Sequence, residues 1–75
     1  MLEQMDDQTF SYRLRALRER NGWSRYKLAK KANVSPDTIK YWEIGLNQPN
    51  IGRAKQLTKI FGVTLDYLCG DGDEI

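Results

Sequence analysis

The side chains able to do chemistry in this sequence are mainly cations and hydroxyls. All 12 Lys and Arg lie between Arg13 and Lys59, opposed over residues 13–61 only by Glu19, Asp37 and Glu43, so the middle of the chain carries +9. Residues 1–12 carry −3 and residues 62–75 carry −4, which hides this segregation behind a net charge of +2. Fields act through local patches more than through the total, and a basic middle between acidic ends suits a polyanion such as nucleic acid. A solvated set of helix faces is the ordinary alternative, and charge alone does not separate the two. Catalytic chemistry is poorly supplied. There is no histidine, the usual general base, and Cys69 is the sole cysteine, so Ser/His/Asp and Cys/His arrangements cannot be assembled. The same shortage leaves no His/Cys set for a metal and excludes an internal disulfide. The sequence therefore reads as a non-enzyme with no cofactor and no metal.

The elements that must position these groups are helical. With 75 residues, 40% of them hydrophobic and 29% charged, the chain has room and composition for one packed domain near the lower size limit. No apolar run approaches the roughly 20 residues needed to span a bilayer and no secretory pattern opens the chain, so a cytoplasmic protein without membrane contact is expected. Residues 1–8 read as a flexible N-terminal tail, 9–69 as the folded domain and 70–75 as an acidic C-terminal tail. Phe10, Leu14 and Leu17 place an apolar stripe on a first helix starting at Thr9 or Ser11 and ending at Asn21-Gly22. Ser24 caps a second, with Leu28, Ala29 and Ala32 inward and Trp23 placed to staple its entry by packing on Leu28 or its neighbours. Ser35-Pro36 opens a third, Pro36 to Glu43, with Ile39 and Trp42 inward. Ile51 to Phe61 forms a fourth, with Ala54, Leu57, Thr58 and Phe61 inward, and Thr64 caps a short fifth from Leu65 to Cys69. The fold class is all-α with five helices.

The informative spacing lies between the second and third helices. Only Asn33 and Val34 separate the end of one apolar stripe from the serine cap of the next helix, so the two must cross steeply in a tight turn. That is a helix-turn-helix. Ala29 suits the crossing because a small side chain lets the other helix approach, and Val34 and Ile39 fill the angle.

Over residues 9–69 the sequence resembles the phage repressor and Cro type helix-turn-helix proteins, the bacterial regulators also named for the xenobiotic response element. The resemblance rests on Arg13-Leu14-Arg15 with Leu17-Arg18, Trp23-Ser24 with Leu28-Ala29, Val34-Ser35 with Ile39 and Trp42-Glu43, then Gly45, Pro49, Leu57, Phe61-Gly62-Val63, Leu65-Asp66 and Leu68. It implies a five-helix repressor-like domain that binds operator DNA as a symmetric dimer, with the third helix in the major groove. It also implies that Arg18 and Glu43 form an ion pair. Arg25 stands where the family often has glutamine, at a position that touches the phosphate backbone and braces the recognition helix; arginine keeps that contact. Pro36 and Asp37 stand where glutamine, arginine or serine is frequent, so the base-reading surface is unusual. Asp37 can accept from cytosine N4, although its ordinary role in a first helical turn is to stabilise the dipole.

The DNA-contacting set read from this comparison is Ser24, Arg25, Ser35, Pro36, Asp37, Thr38, Lys40, Tyr41, Asn47 and Gln48. Thr38 suits a thymine methyl, Tyr41 a base or phosphate, and Lys40 a phosphate or guanine. Asn47 and Gln48 suit the phosphate backbone or simple turn chemistry. Lys27, Lys30 and Lys31 are expected to face solvent, and Cys69 to be a half-buried apolar group. Ile51, Ile60, Val63, Leu65 and Tyr67 exceed what so small a core can bury and are assigned to a homodimer interface. The sequence is thus read as a complete small transcriptional regulator, a repressor acting on a palindromic double-stranded operator. The rival is a protein-interaction module, such as an antitoxin that neutralises a partner, with DNA binding secondary.

Overall fold

Each of the last four helices is opened by a polar cap whose side chain accepts a backbone N–H from inside the first turn. The computed structural model describes residues 7–70, with side chains from residue 9. These residues form α1 (Asp7–Arg20), α2 (Arg25–Ala32), α3 (Pro36–Glu43), α4 (Ile51–Phe61) and α5 (Leu65–Cys69), with no strand among them. Ser24 caps α2 through Lys27 N, Ser35 caps α3 through Thr38 N, Asn50 caps α4 through Arg53 N and Thr64 caps α5 through Tyr67 N. α1 starts at Asp7, inside the stretch read from sequence as a tail, because that stretch lacks the apolar periodicity that marks a helix. The remainder of both expected tails, apart from Gly70, lies outside the described residues.

The helix ends reuse one device. The N–H groups of Trp23, Val34, Leu46 and Val63 each reach a carbonyl five residues back, on Arg18, Ala29, Tyr41 and Thr58. The residue before each donor turns left-handed: Gly22, Asn33, Gly45 and Gly62. Three are glycines, for which this backbone costs little. Asn33, with φ of 60°, is the sole non-glycine residue at positive φ among the described residues, and it is the hinge between α2 and α3. Val34 follows it and packs on the core, so the steep turn is held by a backbone bond and an apolar contact together.

The core is Phe10, Leu14 and Leu17 of α1, Leu28, Ala29 and Ala32 of α2, Ile39 and Trp42 of α3, Leu57 of α4 and Leu68 of α5. Ala29 is almost wholly buried where α2 and α3 pack. Thr58, expected inward, is only half-buried and turns its hydroxyl back to Lys55 O at 2.6 Å. Trp23 stacks on Phe61 with ring centroids 5.4 Å apart, so the entry of α2 is pinned to α4.

The turn makes a specific prediction. Asn33→Val should lose about 1–2 kcal/mol in urea denaturation, since an L-residue without a short polar side chain resists the left-handed region. Asn33→Gly should stay within about 1 kcal/mol of the parent. Equal losses in both would show that the side chain, not the backbone angle, holds the turn.

Candidate nucleic-acid interface

α3 is eight residues long and divides cleanly. Ile39, Trp42 and Glu43 are buried, while Asp37, Lys40, Tyr41 and Ile44 follow one another at i, i+3, i+4 and i+7 on the exposed side. From Asp37 to Ile44 the stripe is about 10 Å long at 1.5 Å per residue, and the major groove of B-DNA is about 12 Å wide. Ile44, at 57% exposure, was not among the residues expected from sequence because it stands past the last helical turn; its i+7 relation to Asp37 was the available signal. Ser35 and Thr38, both assigned to DNA contact, hold each other: their hydroxyls are 2.9 Å apart and Ser35 Oγ accepts from Thr38 N. A hydroxyl that accepts in a cap still has a proton to donate, so a phosphate remains within its repertoire. Ser24 at the cap of α2, Pro36 in the first turn of α3, and Asn47 and Gln48 in the loop after α3 are all exposed.

What fixes α3 from behind is charge. Glu43, the last residue of α3, has a fully buried side chain. Arg18 of α1 donates to it twice, Nε to Oε2 at 2.5 Å and Nη2 to Oε1 at 3.1 Å, and gives Nη1 to Trp23 O at 2.8 Å. Arg25, the first residue of α2, adds Nε to Oε1 at 3.0 Å. One carboxylate thus ties three helices. Donating to the Glu43 carboxylate raises the pKa of Arg18 above its ordinary value, against the opposing effect of burial. Arg25 does two things at once: its Nε is committed inward while a side chain 38% exposed keeps its outer edge at the α2 cap. The engagement of Arg25 with Glu43 was not visible in sequence, since the two residues are brought together by the crossing of α2 and α3. Buried Ser11 of α1 was also missed; its hydroxyl donates to Trp42 O at 2.7 Å and fastens the end of α3 to α1.

The residues assigned to a dimer interface divide differently. Ile60, Val63 and Tyr67 are partly spent on the molecule's own core, Leu65 is half-buried and Ile51 is 63% exposed. Tyr67 is further occupied by Arg13, which stacks 4.4 Å over its ring and donates to its carbonyl. Lys27, Lys30 and Lys31 face solvent, and Cys69 is half-buried.

Residues 14–68, from the middle of α1 to the end of α5, match the model of the helix-turn-helix family. The chain belongs to the Cro/C1-type helix-turn-helix family. The HTH-type transcriptional activator BcrR of Enterococcus faecalis is 35% identical over 66 residues, covering 88% of this chain and 32% of the activator. The helix-turn-helix chain thus spans about a third of that relative's length. A transcriptional regulator from Listeria innocua superposes with a TM-score of 0.79 at 27% identity, over 88% of this chain and 62% of that one. The SOS-response transcriptional repressor LexA from Eubacterium rectale shares the fold, with a TM-score of 0.83 at 24% identity over 100% of this chain and 84% of that one. No described helix of this helix-turn-helix protein is long and apolar enough to cross a membrane.

The charge cluster can be tested directly. Glu43→Ala leaves Arg18 buried without its partner and should cost about 3–5 kcal/mol. Arg18→Met combined with Glu43→Leu should recover most of that loss, because an apolar pair removes the desolvation cost as well as the attraction. Urea denaturation of both variants checks it. A double variant as unstable as Glu43→Ala would show that the ionic geometry itself is required.

Proposed function

We propose that this protein binds operator DNA with α3 in the major groove and the N-terminus of α2 on the phosphate backbone, and that it regulates transcription by that occupancy. The observation that carries this reading is the outward stripe of Asp37, Lys40 and Tyr41 on a helix whose other side is clamped by Glu43 to α1 and α2. A rigidly held helix can present side chains to base edges in a fixed register, which discrimination between base pairs needs. The backbone contacts come from groups that carry no sequence information: Ser24, the cap of α2, and the outer edge of Arg25. Membership of a family of DNA-binding regulators supports the same reading.

The working unit is a two-fold dimer on a palindromic site. One α3 reads only a few base pairs, so two copies about one helical turn (~34 Å) apart are needed to select a site on one face of the duplex. Ile51, the most exposed of the five residues assigned to pairing, and half-buried Leu65 supply the pairing surface. Excluding a competitor needs nothing beyond this occupancy, so repression is the mode proposed.

Selection from a random duplex library tests the reading and should enrich a palindrome. Lys40→Ala and Tyr41→Ala should each relax one or two positions of it, by about 1–3 kcal/mol per position, with the helical content unchanged by circular dichroism. Arg25→Ala should flatten the salt slope by about 0.9, the contribution of one phosphate, and should also relax base preference, because it releases the α2 side of the Glu43 clamp. Ultracentrifugation should find two chains bound cooperatively to the full site and uncoupled by Leu65→Lys. No enrichment at all would favour a protein-binding module.

A further inference from the structure

Five bonded arginines of the described fold contrast with the three lysines of α2. Arg13, Arg15, Arg18, Arg25 and Arg53 all bond within it: to Tyr67 O, Glu19, Glu43, Glu43 again, and Ala32 O with Gln56. Lys27, Lys30 and Lys31 do not. Among the described residues no carboxylate lies within ion-pair distance of them, and α2 itself holds four cations and no acid. They occupy the helix face opposite Leu28, Ala29 and Ala32, with Tyr26 beside them at 63% exposure, and among the described residues the three lysines line a shallow depression. Two of the ammonium groups are held in place by rings: Lys31 Nζ is 4.7 Å from the centroid of Trp23 and Lys30 Nζ is 5.9 Å from that of Tyr26. A lysine already resting on an aromatic face loses less side-chain freedom when it pairs with an anion.

We propose that this face of α2 is a docking surface for an acidic, amphipathic helical segment of another protein. The spacing of Lys27, Lys30 and Lys31 matches carboxylates presented at i, i+3 and i+4 on a facing helix, and Trp23 and Tyr26 offer apolar edges on either side. DNA is the other polyanion to consider, and the geometry argues against it. α3 packs on the opposite side of α2, so with α3 seated in the groove, which is the reading of the preceding section, these lysines point away from the duplex being read. Lys30 also lies about 7.5 Å along the axis from Arg25, beyond the cap that meets the backbone.

The experiment titrates the isotope-labelled full chain with two probes, a short helical peptide carrying glutamates at i, i+3 and i+4 beside leucines, and a duplex carrying the selected site. The peptide should shift the amides of Tyr26, Lys27, Lys30 and Lys31 and the Trp23 indole; its glutamine counterpart should not. Lys30→Glu with Lys31→Glu should cost about tenfold in peptide affinity while duplex affinity stays within about twofold. Lys30→Gln with Lys31→Gln, which places no negative charge at the helix end, should show the same ordering. Duplex binding without peptide binding, peptide shifts centred on α3, or equal losses for both probes would overturn this proposal alone, the last by making the face a phosphate surface. Failure of the unsubstituted chain to bind any duplex would overturn the α3 reading and with it the orientation used here.

Discussion

A single carboxylate taken out of water governs how this fold is put together. Glu43 closes α3 with a negative charge at the end where the helix dipole is already negative, and Arg25 opens α2 with a positive charge at the end where the dipole is already positive. Each is misplaced in its own helix. They meet 3.0 Å apart because the tight turn brings the start of α2 beside the end of α3, and the pair cancels what each helix disfavours. Arg18 completes the arrangement from α1 with two further bonds. Burying a charge in this way adds little net stability, since desolvation offsets much of the attraction. Its consequence is specificity: the carboxylate is satisfied only when three helices sit at one set of angles.

That constraint explains why so small a core can present a rigid surface. Ten buried apolar residues fill the centre, but apolar contact tolerates small rotations of one helix on another. Hydrogen bonds to Glu43 and the Ser11 bond to Trp42 O do not. The buried side of α3 is therefore held by directional bonds at its C-terminal end, while the exposed Ser35 cap closes its own first turn at the other. The exposed side is left to carry Lys40 and Tyr41, with Asp37 in the first turn where its charge also suits the helix dipole.

The arginines and lysines divide along the same line. Arg has a planar fork that can satisfy a buried carboxylate from two nitrogens, and here it serves mainly to join elements. Lys is a point charge on a flexible stem, and on α2 it remains on the surface, steadied only by neighbouring rings. The +9 that marks the middle of the sequence is thus partly consumed inside the fold, and the charge offered to partners is more localised than the total suggests.

The five helices, the caps Ser24, Ser35 and Thr64, the glycine stops and the tight α2–α3 spacing were legible in the sequence, because they depend on neighbours within a few positions; the Asn50 cap of α4 and the start of α1 at Asp7 were not. The inward stripes of α1, α2 and α3 were legible for the same reason. Family resemblance added the pairing of Arg18 with Glu43. Other features were decided only by the tertiary structure. Arg25 joins Glu43, Trp23 stacks on Phe61, and Ile60, Val63 and Tyr67 turn partly into the core instead of standing free. Each depends on the angle at which one helix crosses another. That angle is set by summed contacts between residues distant in sequence, and local periodicity carries no record of it.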